Sequence, residues 1–116
     1  MARQRVVLQP PINIVASQAQ SGVDAVPVGN KRSGVVFADA YAYGGTSYSI
    51  FIETISEMAN ATGQFSWIVV VTITVSAAGG QKVAITDLGE AVRWRVSGTP
   101  AGTNTMKLTV YFSDQP

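Results

Sequence analysis

Residues 91–112 read AVRWRVSGTPAGTNTMKLTVYF and carry the clearest structural signal in the chain. Apolar and polar residues alternate at both ends of this stretch, and a loop rich in Gly, Pro and Thr separates the two ends. Because successive side chains of a strand point to opposite faces of a sheet, the alternation predicts two β-strands. The side chains predicted to face the core are Val92, Trp94, Val96, Met106, Leu108, Val110 and Phe112.

The same alternation continues upstream, beginning near residue 35. The segment SYSIFIETI (47–55) places Tyr48, Ile50 and Ile52 on one face, and Ser49, Phe51 and Glu53 on the other. The segment QFSWIVVVTITVS (64–76) predicts the longest strand, with these residues on its core face: Phe65, Trp67, Val69, Val71, Ile73 and Val75. Short strands separated by glycine-rich turns predict an all-β protein, an antiparallel β-sandwich or jelly roll.

Residues 1–34 differ from this body. Pro10 and Pro11 lack a backbone N–H and keep the chain extended, and no helical period of apolar residues follows them. We expect short strands at a sheet edge within an extended N-terminal arm over 1–34, followed by a β-sandwich domain over 35–116. The arm is predicted either to lie across a neighbouring subunit or to be a flexible terminus.

Composition restricts the possible partners. The 116 residues are 47% hydrophobic and only 13% charged, which indicates either surface covered by neighbours or faces wetted by uncharged polar groups. The net charge is +1 and the basic residues are dispersed, so we expect no nucleic-acid partner. The most apolar run, residues 67–75, is too short to span a bilayer, and no apolar signal-peptide region follows the first residues, so we expect a soluble protein.

Little in the sequence indicates catalysis. The chain has no histidine and no cysteine, which removes the commonest general base, the thiolate nucleophile and the usual zinc ligands. The acidic residues are few, and their spacing brings no two of them together, so a paired-carboxylate hydrolase is the least supported reading. We therefore predict a protein that is not an enzyme and has no cofactor or metal.

The remaining candidates are contact residues. Tyr41, Tyr43 and Tyr48 cluster around a Gly-Gly turn, where they could contact a protein, bind a sugar or pack in the sheet. Arg93 and Arg95 face outward, toward acidic groups of a neighbour or toward solvent. The full set of predicted interface residues is Arg3, Arg5, Pro10, Pro11, Tyr41, Tyr43, Tyr48, Arg93 and Arg95.

The stretch LGEAVRWRVSGTPAGTNTMKLTVYF (88–112) resembles the closing hairpin of small β-sandwich proteins of tailed bacteriophages. Upstream, SYSIFIETISEMANATGQFSWIVVVTITVS (47–76) is similar to the central strand pair of that group. The resemblance covers residues 47–112 and lies in pattern and composition.

That resemblance implies a virion structural protein, most specifically a capsid decoration (cement) protein with a jelly-roll-like fold. Its implied partners are the major capsid protein and further copies of itself, with a trimer favoured, and its implied place is the capsid surface after assembly in the host cytoplasm. An arm such as 1–34 would dock it. The alternatives are a phage tail, baseplate or fibre component, and a carbohydrate-binding module. The module would need exposed tryptophans, whereas Trp67 and Trp94 have the phase of core residues.

Overall fold

A computed structural model of the chain describes residues 3–15, 18–19, 25–29, 31–57 and 67–113. Every regular element in these ranges is a β-strand, which confirms the all-β prediction. No helix among them is long and apolar enough to cross a membrane. The strands are β1 (Arg3–Asn13), β2 (Gln18–Ala19), β3 (Val26–Pro27), β4 (Ser33–Ala40), β5 (Tyr48–Ile55), β6 (Ile68–Val75), β7 (Gly79–Ile85), β8 (Ala91–Ser97) and β9 (Thr105–Ser113).

The strands form two antiparallel sheets that pack as a sandwich. The four-stranded sheet has the order β1-β9-β4-β7. The five-stranded sheet has the order β2-β8-β5-β6, and β3 pairs with β8 as well. One hydrophobic core contains side chains from both sheets, as expected where each sheet buries one face against the other.

The predicted inward faces of β8 and β9 are confirmed. Their seven apolar side chains all lie in the core, and none of them is more than 2% exposed. The two strands do not form a hairpin, however, because β8 pairs with β5 whereas β9 pairs with β1 and β4. The loop over 98–104 instead carries the chain across the sandwich, from the five-stranded sheet to the four-stranded one.

The predicted faces of β6 are correct for only part of the strand, and Phe65, which was also predicted on its core face, lies outside the described residues. Between the pairs Ile52–Val71 and Glu53–Val69, β6 carries one extra residue, a β-bulge that shifts its side-chain alternation. Val69 is therefore on the outer face, 42% exposed, instead of in the core. Trp67 is buried as predicted, but it packs in a separate small cluster on the outer face of the five-stranded sheet.

The first part of the predicted arm belongs to the sandwich. β1 pairs with β9 along the edge of the four-stranded sheet, as expected for edge strands. Pro10 and Pro11 lie within a register shift between Gln9 and Ile12, where a missing N–H costs no regular ladder bond. The proposed arm over 1–34 includes residues 16–17 and 20–24, which lie outside the described ranges, and its status as a separate unit stays a prediction.

Candidate functional site

The three predicted tyrosines do not form one exposed patch. Tyr41 is 58% exposed, whereas the Tyr43 side chain packs partly against the core. Tyr48 is a core residue, 3% exposed, because it lies on the inner face of β5 with Ile50. Burial raises the pKa of the Tyr48 hydroxyl, and the nearby Tyr43 raises it further. Only Tyr41 presents most of its ring to a partner at this end of the sandwich.

A buried asparagine, which the sequence analysis did not single out, holds this end together. The Oδ1 of Asn104 accepts a hydrogen bond from the Gly44 N–H at 2.9 Å, and its Nδ2 donates to the Ala101 carbonyl at 3.0 Å. The Asn104 N–H donates to Oδ1 of Asn13 at 2.8 Å. Any side chain at Gly44 would collide with the Ala101 carbonyl, because an added Cβ would lie 2.0 Å from that oxygen. Asn104 thereby joins the end of β1, the segment after β4 and the loop before β9.

The two predicted arginines share one acidic partner within the chain. Glu53 lies opposite Arg93 in the register of β5 and β8, on the outer face of the five-stranded sheet. Its Oε1 accepts a hydrogen bond from Nε of Arg93 at 2.8 Å, and its Oε2 accepts one from Nε of Arg95 at 3.1 Å. Charge-assisted bonds of this kind are among the stronger ones in proteins. A single carboxylate therefore bridges two guanidinium groups.

Aromatic rings cover both ends of this cluster. The guanidinium of Arg93 lies over the Trp67 ring at 4.6 Å, and that of Arg95 lies over Phe51 at 4.3 Å, both within cation–π range. The Glu53 and Arg93 side chains are 3% and 5% exposed, whereas that of Arg95 is 31% exposed. Of the two arginines, only Arg95 has appreciable surface for a partner, and an intermolecular role for either stays a prediction.

The charges of the ion cluster are paired within the chain. Glu53 is the only buried carboxylate in the part of the chain that the structure describes, and both of its oxygens are engaged by arginine. No group of three acidic residues in the described ranges is placed to hold a metal ion. The sequence showed Glu53 on the outer face, but its pairing depends on a register between segments 40 residues apart.

The other predicted contact residues lie on the opposite side of the sandwich. Arg5 is exposed on the outer face of the four-stranded sheet, opposite Tyr111 of β9. Pro10 and Pro11 are exposed in β1. The backbone of Arg3 pairs with that of Ser113, and its side chain is outside the described part of the structure. The predicted interface residues therefore do not form one surface: Arg5 lies on the outer face of one sheet and Arg93 and Arg95 on that of the other, Tyr41 lies at one end of the sandwich, and Tyr48 lies in the core.

The bulge in β6 creates a further exposed surface, which the sequence did not predict. Ile68 is 64% exposed and Val69 is 42% exposed, at the start of a strand that pairs only with β5 among the described strands. We call these two residues, with the free edge of β6, the β6 edge. The outer backbone groups of an edge strand are available to a strand from another chain. The alternating sequence predicted that Val69 faces inward, so the edge could not be recognised from it.

Comparison with known proteins supports the fold. No protein family model and no curated protein sequence matches the chain. A solved structure from the Bacillus endospore appendages, a family of disulfide-linked pili, matches with a TM-score of 0.58 at 11% identity, over 98% of this chain and 88% of that one. PirA matches with a TM-score of 0.42 at 13% identity, over 96% and 93% of the two chains. The Yersinia pseudotuberculosis-derived mitogen matches with a TM-score of 0.47 at 11% identity, over 99% and 91%. At these identities the pilus protein shows a shared small β-sandwich fold and nothing finer.

Proposed function

We propose that the chain is a non-enzymatic structural subunit that assembles with further copies of itself, and that its specific role is capsid decoration on a phage head. The observation that carries this proposal is the β6 edge. Soluble proteins usually protect an edge strand with charged residues, proline or short length, because an open edge recruits other strands. β6 contains one bulge, which is a further device of this kind, but its eight residues, IVVVTITV, contain no charge and no proline.

The β1 edge of the four-stranded sheet provides a contrast. β1 contains Arg3 and Arg5, and two prolines interrupt its pairing with β9. The β1 edge is therefore protected in the ordinary way, whereas the β6 edge carries no charge and no proline, and the Gln81 side chain donates a hydrogen bond to its Thr74 carbonyl at 2.8 Å. A second copy of the chain is a suitable cover, because homo-oligomers with closed symmetry are common and strand addition satisfies the free backbone groups.

Two further observations support a structural role. The charged content of 13% is low for a protein that is surrounded by water on all sides. The pilus protein that shares this fold is itself part of an assembled appendage, which agrees with a subunit function. The capsid-decoration role rests on the phage resemblance of residues 47–112, and it makes the major capsid protein the second partner.

The assembly is tested by replacing both Ile68 and Val69 with lysine. Size-exclusion chromatography with light scattering should show a multimer for the natural chain and a monomer for the double variant, with unchanged circular dichroism. Val15→Lys is the matched control, since Val15 is a 57% exposed valine away from β6, and it should stay multimeric. A monomeric natural chain at high micromolar concentration would overturn self-assembly through this edge.

The capsid role needs its own measurement. Quantitative mass spectrometry of purified phage particles from the source should find the chain at a simple ratio to the major capsid protein. A few copies per particle would indicate a tail component instead. Absence from particles would contradict the virion role while leaving the self-assembly result intact.

A further inference from the structure

The outer face of the four-stranded sheet carries a shallow depression that the assembly proposal does not use. Its volume is about 330 Å³, at the small end of the range for ligand pockets. Three adjacent strands contribute its lining, so the positions are fixed by backbone pairing and not by a mobile loop. We call it the β9 cup, and its lining residues are Arg5, Phe37, Asp39, Lys107, Thr109 and Tyr111.

Strand register determines how these groups are arranged. Arg5 lies opposite Tyr111, Phe37 lies opposite Thr109, and Asp39 lies opposite Lys107. From the rise of a β-strand, the first and last of these rows are roughly 13 Å apart. The cup therefore has one arginine at one end, an aromatic middle, and a lysine beside a carboxylate at the other end, a length that a short oligosaccharide can span.

The middle of the cup is an aromatic surface. The Phe37 and Tyr111 rings meet edge to face, with their centroids 5.6 Å apart and their planes at 79°. Both side chains are half-buried, so each is held by its neighbours and still presents area to a ligand. The floor between them is Thr109, which faces outward from the core yet is only 5% exposed. Such a surface suits a ligand with an apolar face and hydroxyl groups at its rim.

The ends of the cup carry positive charge. Among the described residues, neither Arg5 nor Lys107 is engaged in an ion pair, in contrast to Arg93 and Arg95 on the other sheet. An anionic group is therefore the natural ligand at either end, because arginine and lysine bind carboxylates through charge-assisted hydrogen bonds. The cup thus combines two aromatic rings with two cations that have no ion-pair partner among the described residues.

Asp39 restricts which anionic ligands the cup can bind. A carboxylate beside Lys107 would repel a dense polyanion such as a nucleic acid, but it accepts hydrogen bonds from hydroxyl groups. The ligand is then a ring with an apolar face, several hydroxyls and an isolated negative charge. From this combination we infer that the β9 cup binds a short oligosaccharide of uronic acids, with Phe37 under a sugar ring and Arg5 or Lys107 at its carboxylate.

This inference goes beyond the structural role. The cup lies on β1, β4 and β9, whereas the proposed assembly contact lies on β6, so each can fail without the other. A subunit with both surfaces would display a binding site for acidic polysaccharide on the outside of its assembly.

Binding is tested by isothermal titration calorimetry of the full chain with trimers of galacturonic, glucuronic and mannuronic acid. At least one of them should bind with a dissociation constant in the millimolar range or tighter, and a neutral galactose trimer should bind more weakly. Phe37→Ala should weaken binding about tenfold through lost stacking. Lys107→Gln and Arg5→Gln should each weaken binding, and the larger loss identifies the end that holds the carboxylate.

Two variants separate specific recognition from general attraction of anions. Arg32→Gln removes an exposed positive charge outside the cup lining and should leave binding unchanged. Asp39→Ala should weaken binding of the uronic trimer, because hydroxyl contacts are lost, and should strengthen binding of a polyphosphate, because repulsion is relieved. The Ile68→Lys, Val69→Lys double variant should bind the trimer normally even if it no longer assembles.

Three outcomes would overturn the inference. No binding of any of the three uronic trimers would exclude the site. Tighter binding of the trimer by Asp39→Ala would show that the cup is only a cationic surface. Equal losses from Arg32→Gln and Lys107→Gln would show that net charge, and not the cup, determines affinity.

Discussion

The outer faces of the two sheets have similar alternating sequences, but their charged side chains differ in exposure and pairing. Along β8 the outward residues include Arg93 and Arg95, and along β9 they include Lys107 and Tyr111. On the five-stranded sheet Arg93 is covered and both arginines are paired through Glu53, whereas on the four-stranded sheet the charges line an open depression. Alternation thus decides which way a side chain points, but not whether water reaches it.

The difference arises from what lies above each sheet. The bulge in β6 brings Trp67 onto the outer face, over the Arg93 guanidinium, where Ile55 and Ala91 join it in an apolar cluster. The β9 cup instead opens to the surface, and Arg5 at one end of it is exposed. A covered charge needs a partner, since an unpaired charge in a dry site is costly, whereas an uncovered charge is free to bind a ligand.

The largest effect should come from removing the acid of the covered face. Glu53→Ala leaves Arg93 buried without its carboxylate, and it should lower the free energy of unfolding by about 4 kcal/mol. Asp39→Ala, the matched change on the open face, should alter it by less than about 0.5 kcal/mol. Urea denaturation followed by circular dichroism measures both, and similar losses for the two variants would contradict the distinction between the faces.

A somewhat smaller effect is expected from the aromatic cover. Trp67→Ala should cost about 3 kcal/mol of stability, because a ring that is 6% exposed is lost and the arginine beneath it becomes wet. Phe37→Ala on the open face should cost about 1 kcal/mol, since that ring is already partly hydrated. If Phe37→Ala were as damaging as Trp67→Ala in the same denaturation assay, the cup would be part of the core.

The smallest effect concerns the core between the two faces. The Tyr48 hydroxyl is buried and has no hydrogen-bond partner among the described residues, so Tyr48→Phe should raise stability by about 1 kcal/mol. Unlike Glu53, this polar group is uncharged and is tolerated without a partner. A loss of stability on this substitution would indicate that the hydroxyl has a partner.

The same residue gives a pH dependence. Burial raises the Tyr48 pKa in the folded chain above its ordinary value of 10.0. As the pH rises, Tyr48 therefore ionises in the unfolded chain before it ionises in the folded chain. Its contribution to the free energy of unfolding is fully present below pH 10.0 and is lost as the pH rises through the folded pKa. Thermal unfolding between pH 9 and pH 11 should show a steeper decline for the natural chain than for Tyr48→Phe.

Much of the fold was predictable from local pattern. The alternation in β5, β8 and β9 identified their inner faces correctly because each strand is regular over its length. The prediction for β6 was wrong at Val69, because a bulge depends on pairing with β5 and leaves no mark on a run of valines. The resemblance implied a hairpin between β8 and β9, and this expectation was wrong because a glycine-rich loop permits either a tight turn or a crossing between sheets.

The candidate sites were less predictable, for the same physical reason. Asn104 is in a Gly, Thr and Asn loop typical of any turn, and its role depends on Asn13 and Gly44, which are distant in sequence. Both Phe37 and Arg5 lie on strands that meet only through β9. Contacts between segments so far apart depend on sheet order, which side-chain alternation does not encode.

The pairing of β1 with β9 has a mechanical consequence. Arg3 lies opposite Ser113 at one end of the four-stranded sheet, so the two strands enter and leave the fold side by side. A tensile load applied between residues 3 and 113 would pull these antiparallel strands apart crosswise, and their hydrogen bonds would break one after another instead of all together. A subunit attached to its neighbours through residues 3 and 113 would therefore unfold at low force. A subunit attached through β6 and β7 would not place the load directly on the β1–β9 hydrogen bonds.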